Sequence, residues 1–143
     1  MAANINWRRM RQAAHRDTHW PKVEDRVFAE LGMARGDLAA FDASIKGHCV
    51  LPGMPDYPKA RPGQGISPYS SDPLLVIYCT TAEDVWLAMK CIHAQDWVST
   101  CRSGGHSTAG FSGNAAVVLD LSALHEVVVA LERMVAHVGV GPT

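Results

Sequence analysis

The sequence has no excess of charge of either sign and no long apolar run. Its 143 residues carry 13 Lys and Arg against 14 Asp and Glu, a formal net charge of −1 with the histidines neutral. This balance gives no electrostatic basis for binding nucleic acid or an anionic membrane. No apolar stretch approaches the roughly 20 residues that a membrane-spanning helix needs. We therefore expect a small-molecule substrate as the partner, and neither nucleic acid nor a membrane.

The sequence also lacks an export signal, paired cysteines and a metal-binding motif. No apolar stretch follows Arg8 and Arg9, so we expect no cleaved signal peptide and a cytoplasmic location. His15 and His19 stand four residues apart, but the glutamate of an H-E-x-x-H site is missing, which favours two solvated histidines and no metal. No two cysteines are spaced C-x-x-C, which disfavours a zinc ribbon and favours buried free thiols. The cysteines are Cys49, Cys79, Cys91 and Cys101.

Residues 1–40 predict an N-terminal helical segment. Within it, apolar residues at helical spacing in KVEDRVFAELG predict a helix that ends at Gly32. The run GHCVLPG, which starts at Gly47, predicts a short strand. Proline and glycine recur throughout 52–73, which argues against a regular helix or a central strand there.

The pattern changes at residue 74, where strand and helix signals alternate. LLVIYC predicts a buried strand, and TTAEDVWLAMKCIHAQD predicts a helix over 81–95. WVSTC and AAVVLDLS predict two more strands around a glycine-rich loop, and EVVVAL and MVAHVGVG predict a hairpin around Glu132. The resulting order, β-α-β-loop-β-β-β, indicates the α+β class. The helix has two candidate capping boxes, Thr80 with Glu83 or Thr81 with Asp84.

The loop CRSGGHSTAGFSG, Cys101 to Gly113, is the strongest candidate for a binding site. Gly104 and Gly105 allow positive φ and a close approach of a ligand to the main chain, whose successive N–H groups form an anion-binding nest. The loop is neither a P-loop nor a G-x-G-x-x-G turn that opens a helix, and a strand connector without a ligand explains it equally well. His106 taken alone is more typical of a hydrogen-bonded loop residue than of a catalyst. Side chains that add donors for a phosphate or diphosphate are Arg102, Ser103 and Ser107.

Together, RSGGHSTAGFSG, VVLDLSALHEVVV and AHVGVG resemble the FAD-binding (PCMH-type) domain of the vanillyl-alcohol oxidase/p-cresol methylhydroxylase superfamily, in particular the berberine-bridge-enzyme-like FAD-linked oxidases. The resemblance covers 41–143 and implies the first subdomain of that fold, a small mixed sheet with flanking helices. It implies that the loop amides hold the FAD pyrophosphate and that His106 carries the flavin covalently through its 8α-methyl carbon. The cofactor-binding residues that it implies are Arg102, Ser103, Gly104, Gly105, His106, Ser107, Gly110, Val138, Gly139 and Gly141.

The resemblance also implies a reaction. Such an oxidase transfers a hydride from an alcohol, sugar or amine carbon to the flavin and then passes electrons to O2, and histidine suits the flavin link because its ring is largely unprotonated near neutral pH. The resemblance identifies no catalytic residue, and the second flavin-linking cysteine of the family matches none of the four cysteines. The family's domain is longer than the stretch found here. A fragment, one subunit of a split enzyme with a second chain as partner, and a truncated gene product all stay open, as do a non-catalytic domain and a diphosphate binder without flavin.

Overall fold

A four-stranded mixed sheet lies at the centre of the protein, whose computed structural model describes residues 7–61, 72–107, 110–113 and 115–142. The strands are β1 His48–Val50, β2 Leu75–Tyr78, β3 Ser99–Arg102 and β4 Val117–Asp120. They lie in the order β1-β2-β4-β3, with β1 antiparallel to β2 and with β2 and β3 both parallel to β4. Apolar side chains of β2 and β4 are buried throughout, as expected of strands that are covered on both faces. The predicted α+β class and small mixed sheet are confirmed.

Helices precede and flank this sheet. They are α1 Trp7–His19, α2 Asp25–Leu31, α3 Arg35–Ser44, α4 Tyr57–Ala60 and α5 Ala82–Ala94. The helix predicted from Lys22 onward begins only at Asp25, because Val23 and Glu24 are extended after a short 3-10 turn. Gly32 ends α2 as predicted, with a left-handed φ of 68°.

The N-terminal helices share one core with the sheet. The indole N–H of Trp97, after α5, donates a hydrogen bond to the Leu31 carbonyl at 2.7 Å. Trp20 and Phe28 belong to the same cluster of buried side chains as the strand residues. The boundary expected between residues 40 and 41 falls inside α3, so the helical segment and the remainder are continuous in both backbone and core.

The segment 52–73 contains one turn of helix, which the sequence interpretation did not foresee. Pro58 lies in the first turn of α4, where a missing N–H is tolerated. The Tyr57 hydroxyl donates to the Pro73 carbonyl at 2.8 Å, and Ala60 is buried. The turn is therefore anchored at the start of β2. Residues 62–71 lie outside the described part of the chain.

Helix α5 confirms the helix predicted over 81–95, and its start ties two strands together. The Thr81 hydroxyl accepts from the Asp84 N–H at 3.2 Å and the Asp84 carboxylate accepts from the Thr81 N–H at 3.1 Å, so the second candidate capping box is the one that forms. Asp84 also accepts from the N–H groups of Lys46 and Gly47, just before β1. A Cβ on Gly47 would lie only 1.6 Å from the Tyr78 carbonyl oxygen, so this approach requires glycine.

A hairpin follows the central sheet, as predicted. Its strands, β5 Val127–Ala130 and β6 Val135–Val138, form a separate two-stranded antiparallel sheet. A 3-10 turn, Leu131–Arg133, connects them and ends at Met134 in a left-handed conformation, φ 52°. The apolar side chains of both strands are largely exposed.

The cysteines and histidines depart in part from expectation. All four cysteines are free thiols, but only Cys49 and Cys79 are buried, and Cys101 is exposed because β3 is an edge strand. His15 and His19 are half-buried rather than solvated, since their rings pack edge to face and His15 Nε2 lies 3.1 Å from Asp56 Oδ2.

Among the described residues, no cluster of His, Cys, Asp or Glu is suited to hold a metal ion. Within the same residues, no helix is long and apolar enough to cross a membrane.

Candidate functional site

Three polar residues meet where the parallel strands end. Tyr78 on β2 and Arg102 on β3 are both register partners of Asp120 on β4. They therefore form one row across the carboxyl edge of the parallel part of the sheet. In open α/β sheets this edge is where ligands bind.

Arg102 and Asp120 form a buried ion pair. The Nε and Nη2 atoms of Arg102 donate to Asp120 Oδ2 at 2.9 and 2.8 Å, and the two residues are each 5% exposed. The other carboxylate oxygen of Asp120 accepts from the N–H and the hydroxyl of Ser122. Arg102 was predicted to add a donor for a phosphate. In the structure, the guanidinium of Arg102 instead donates to Asp120, whose carboxylate neutralises its charge inside the protein.

Tyr78 lies between this pair and a stacked histidine. Burial raises the pKa of the Tyr78 hydroxyl, and the nearby Asp120 carboxylate raises it further, while the hydrogen bond with Arg102 acts in the opposite direction. The hydroxyl is therefore neutral near neutral pH and keeps its proton for donation. The His48 ring stacks on Tyr78 with centroids 4.9 Å apart.

A cavity of about 560 Å³ opens above these strand ends. It brings the start of the glycine loop together with the end of the VGVG turn. Its lining residues are Lys59, Tyr78, Arg102, Ser103, Gly104, Gly105, Asp120, Ser122, His125, Gly141 and Pro142. Five of the predicted cofactor-binding residues are thus in one place: Arg102, Ser103, Gly104, Gly105 and Gly141.

Of the two glycines for which the sequence predicts positive φ, Gly105 adopts it and Gly104 does not. Gly105 has a φ of 69° and Gly110 a φ of 79°, both in the left-handed region. Ser107 is used within the loop, because its carbonyl accepts from the Gly110 N–H at 3.1 Å and its hydroxyl accepts from the Phe111 N–H at 3.2 Å. Neither Ser107 nor Gly110 is among the residues that line the cavity. Residues 108, 109 and 114 are outside the described part of the loop.

The glycines of the VGVG turn are required by packing. Gly139 N–H donates to the Glu126 carbonyl at 2.8 Å and Gly141 N–H to the Leu124 carbonyl at 2.9 Å. A Cβ on Gly139 would lie 2.0 Å from the Leu124 carbonyl oxygen, and one on Gly141 would lie 2.6 Å from the Ser122 carbonyl oxygen. Gly141 reaches the cavity, whereas Val138 is exposed on the hairpin and Gly139 faces the preceding segment.

The structure places His106 directly after the cavity-lining Gly105 and leaves its side chain exposed. The Ser103 hydroxyl donates to the Val140 carbonyl at 2.5 Å, which fixes the loop against the VGVG turn. His106 is therefore next in sequence to a lining residue but is not itself among the residues that line the cavity.

Sequence interpretation missed several lining residues. Tyr78 and Asp120 were detectable in principle, since each is a polar residue at the carboxyl end of a predicted parallel strand. Lys59 lies in the proline- and glycine-rich segment, and His125 lies in the connection before the hairpin. Neither carries a local signal that links it to the glycine loop.

Comparisons with known proteins agree with this geometry. Residues 73–143 match a family model described as an FAD binding domain. The chain is 33% identical over 105 residues to the FAD-linked oxidoreductase pynB of Aspergillus niger, covering 73% of this chain and 19% of that protein. Among solved structures, BBE-like 1 of Physcomitrella patens superposes with a TM-score of 0.64 at 25% identity, over 73% of this chain and 23% of that one.

The chain carries the N-terminal part of a PCMH-type FAD-binding domain. A second solved structure shares the fold: 6-hydroxy-D-nicotine oxidase of Arthrobacter nicotinovorans, with a TM-score of 0.59 at 24% identity, over 68% of this chain and 22% of that one. The chain spans about a fifth to a quarter of the length of these relatives. The FAD-binding domain is the part of an FAD-linked oxidoreductase that these comparisons cover.

The chemistry of the donor set fits the diphosphate of FAD. The main-chain amides of Gly104 and Gly105 are neutral donors suited to an anion, whereas the hydroxyl protons of Ser103 and Ser122 are already donated to the Val140 carbonyl and to Asp120 Oδ1. Asp120 is the one carboxylate that lines the cavity among the described residues, and it is neutralised by Arg102. Among the described lining residues, no unpaired negative charge opposes a bound phosphate.

Proposed function

We propose that this FAD-binding domain holds the diphosphate of FAD in the cavity at the carboxyl ends of β2, β3 and β4, as part of an FAD-linked oxidase. The observation that carries the proposal is the convergence of Gly104, Gly105 and Gly141 on one cavity whose only lining carboxylate, among the described residues, is internally paired. Bound there, FAD supplies the redox chemistry of the enzyme. The chain supplies position, through main-chain amides on a loop that the hydrogen bond from Ser103 to the Val140 carbonyl holds in place before the ligand binds.

We further propose that His106 anchors the flavin covalently. Its exposed ring, directly after the cavity-lining Gly105, can supply a nitrogen lone pair for one C–N bond to the 8α-methyl carbon. Formation of that bond would release one proton from the methyl group and one from the resulting imidazolium, and the two electrons would pass to the flavin and from there to O2. A fixed cofactor cannot dissociate between turnovers.

The substrate class and the remainder of the enzyme are also part of this proposal. A hydride donor with an oxidisable alcohol, sugar or amine carbon fits an FAD-linked oxidase, and a related structure is that of an oxidase of 6-hydroxy-D-nicotine. The described residues line one side of a cavity and carry no identified base. The 143-residue chain by itself is therefore expected to turn over no substrate, and the missing wall would come from further sequence or from a second chain.

The test compares flavins with and without phosphate on the 143-residue chain. FAD fluorescence quenching should give saturable binding that ADP and pyrophosphate compete away, whereas riboflavin should not bind, because it has no phosphate for the nest. Equal binding of FAD and riboflavin, or no binding of FAD, would contradict the proposal. Equal affinity for ADP and FAD would instead favour a site that binds diphosphates in general. In that case the protein would contact only the adenosine diphosphate part that the two ligands share, and not the flavin.

A further inference from the structure

We propose that Lys59 is the cation that neutralises the bound diphosphate, an inference that rests on the proposed binding of FAD. Three charged side chains line the described cavity: Lys59, Arg102 and Asp120. The last two cancel in their buried ion pair. Lys59 therefore decides the net charge of the cavity, because lysine is protonated at neutral pH.

Lys59 is free to serve a ligand. Within the part of the chain that the structure describes, it forms no ion pair. The neighbouring cation, Arg61, is engaged, since its Nη1 lies 2.8 Å from Asp72 Oδ1. Of the two basic residues on this turn, only Lys59 lines the cavity.

The turn that carries Lys59 is held in place. Ala60 is buried, the Tyr57 hydroxyl is bonded to the Pro73 carbonyl, and the Arg61 N–H donates to the Tyr57 carbonyl at 2.8 Å. Because Ala60 faces inward, Lys59 is left at the surface of the turn, beside the end of β2. The backbone of the turn is held in place, whereas the long, flexible side chain of Lys59 can adjust its conformation to contact a bound phosphate.

The loop amides and Lys59 would contribute different interactions to a bound diphosphate. Main-chain amides of Gly104 and Gly105 give directional hydrogen bonds but little net charge, whereas an ammonium group gives charge with weak directional demand. A diphosphate needs both. Lys59 thus adds a positive charge to an anion site in which the guanidinium of Arg102 is already paired with Asp120.

The experiment measures FAD and pyrophosphate affinity for the 143-residue chain and three variants: Lys59→Gln, Lys59→Arg and, as the matched control, Arg61→Gln. We expect Lys59→Gln to weaken both ligands by about tenfold or more, the effect of one charge-assisted contact. Lys59→Arg should restore most of the affinity. Arg61→Gln should change it little, because that variant removes the same charge from an exposed pair outside the cavity.

Salt dependence gives a second readout. Raising the ionic strength should weaken FAD binding to the unmodified chain more than to Lys59→Gln, because screening acts on the charge that the variant lacks. If the unmodified chain binds FAD and Lys59→Gln binds equally well, or Arg61→Gln loses as much affinity, the role of Lys59 is refuted while the proposed function stands. If the unmodified chain binds neither ligand, both fail together.

Discussion

The Arg102 guanidinium and the Asp120 carboxylate close a buried ion pair between two neighbouring strands, with Nε 2.9 Å from Oδ2. Arg102 is the first residue of the RSGGH motif, and the structure uses it to hold β3 against β4. Asp120 in turn fixes Ser122 at the cavity wall. The pair therefore shapes the floor of the cavity.

Removing one member of this pair should destabilise the fold strongly. Asp120→Ala leaves a buried guanidinium without its counter-ion, and we expect a loss of about 3–5 kcal/mol in the free energy of unfolding, measured by urea denaturation. Asp25→Ala is the matched control, because its pair with Arg35 is largely exposed on the carboxylate side and should contribute about 1 kcal/mol or less. Equal losses in the two variants would show that the buried pair stabilises the fold no more than the exposed pair does.

The carboxylate of Asp84 should make stability depend on pH in the acid range. Burial raises the pKa of Asp84, but hydrogen bonds from the Lys46 and Thr80 N–H groups and from the Thr80 and Thr81 side chains outweigh it, and the net shift is downward. A lowered folded-state pKa stabilises the protein above the unfolded-state value, near 3.9, and this stabilisation is lost as pH falls through the folded-state pKa.

Urea denaturation at a series of pH values tests this contribution. Between pH 7 and pH 5 the stability difference between the unmodified protein and Asp84→Asn should be constant, and below about pH 4 it should shrink. Glu83→Gln, at the exposed neighbouring position, should show no such convergence. A difference that stays constant down to low pH would contradict the role assigned to the Asp84 carboxylate.

Gly139 should tolerate no side chain. A Cβ there would lie 2.0 Å from the Leu124 carbonyl, so Gly139→Ala must move the backbone that leads into the cavity-lining Gly141. We expect a loss of about 1–3 kcal/mol and weaker FAD binding, measured by thermal unfolding and fluorescence titration. Gly36→Ala is the control, since it lies in α3 with nothing within 4 Å of the added methyl group, and it should raise stability slightly.

The proposed flavin link predicts a simple chemical result. A holoenzyme that contains this chain should keep its yellow colour in the protein pellet after acid precipitation, and His106→Ala should release the flavin into the supernatant. His93→Ala, at the exposed end of α5, should behave like the unmodified protein. Flavin that stays with the pellet in His106→Ala would place the link at another residue.

Local signals accounted for much of the fold. The runs LVIY and VVLD are apolar enough to identify buried strands, and the Thr81–Asp84 box marks the start of α5 within one residue. The glycine at position 105 predicted a positive φ, which the structure shows. These features are encoded by neighbours in sequence, so the sequence suffices to find them.

The features that were missed depend on contacts between distant segments. Arg102 became a structural residue only because β4 lies beside β3 and presents Asp120 at the matching register position. Lys59 reaches the cavity through a single anchored turn in a segment whose composition argued against any helix. Neither relationship has a local sequence signal, because each is created by strand order and packing.

The strand order has a consequence for how the protein folds. β2 and β3 share no hydrogen bonds, and the gap between them is filled by β4, which is the last of the four strands along the chain. Until residue 120 has emerged during synthesis, the inner edges of both strands stay open, and the row of Tyr78, Arg102 and Asp120 cannot assemble. Non-local parallel pairing of this kind forms slowly. The cavity can therefore form only after β4 has paired with both strands and the later lining residues Ser122, His125, Gly141 and Pro142 have followed it.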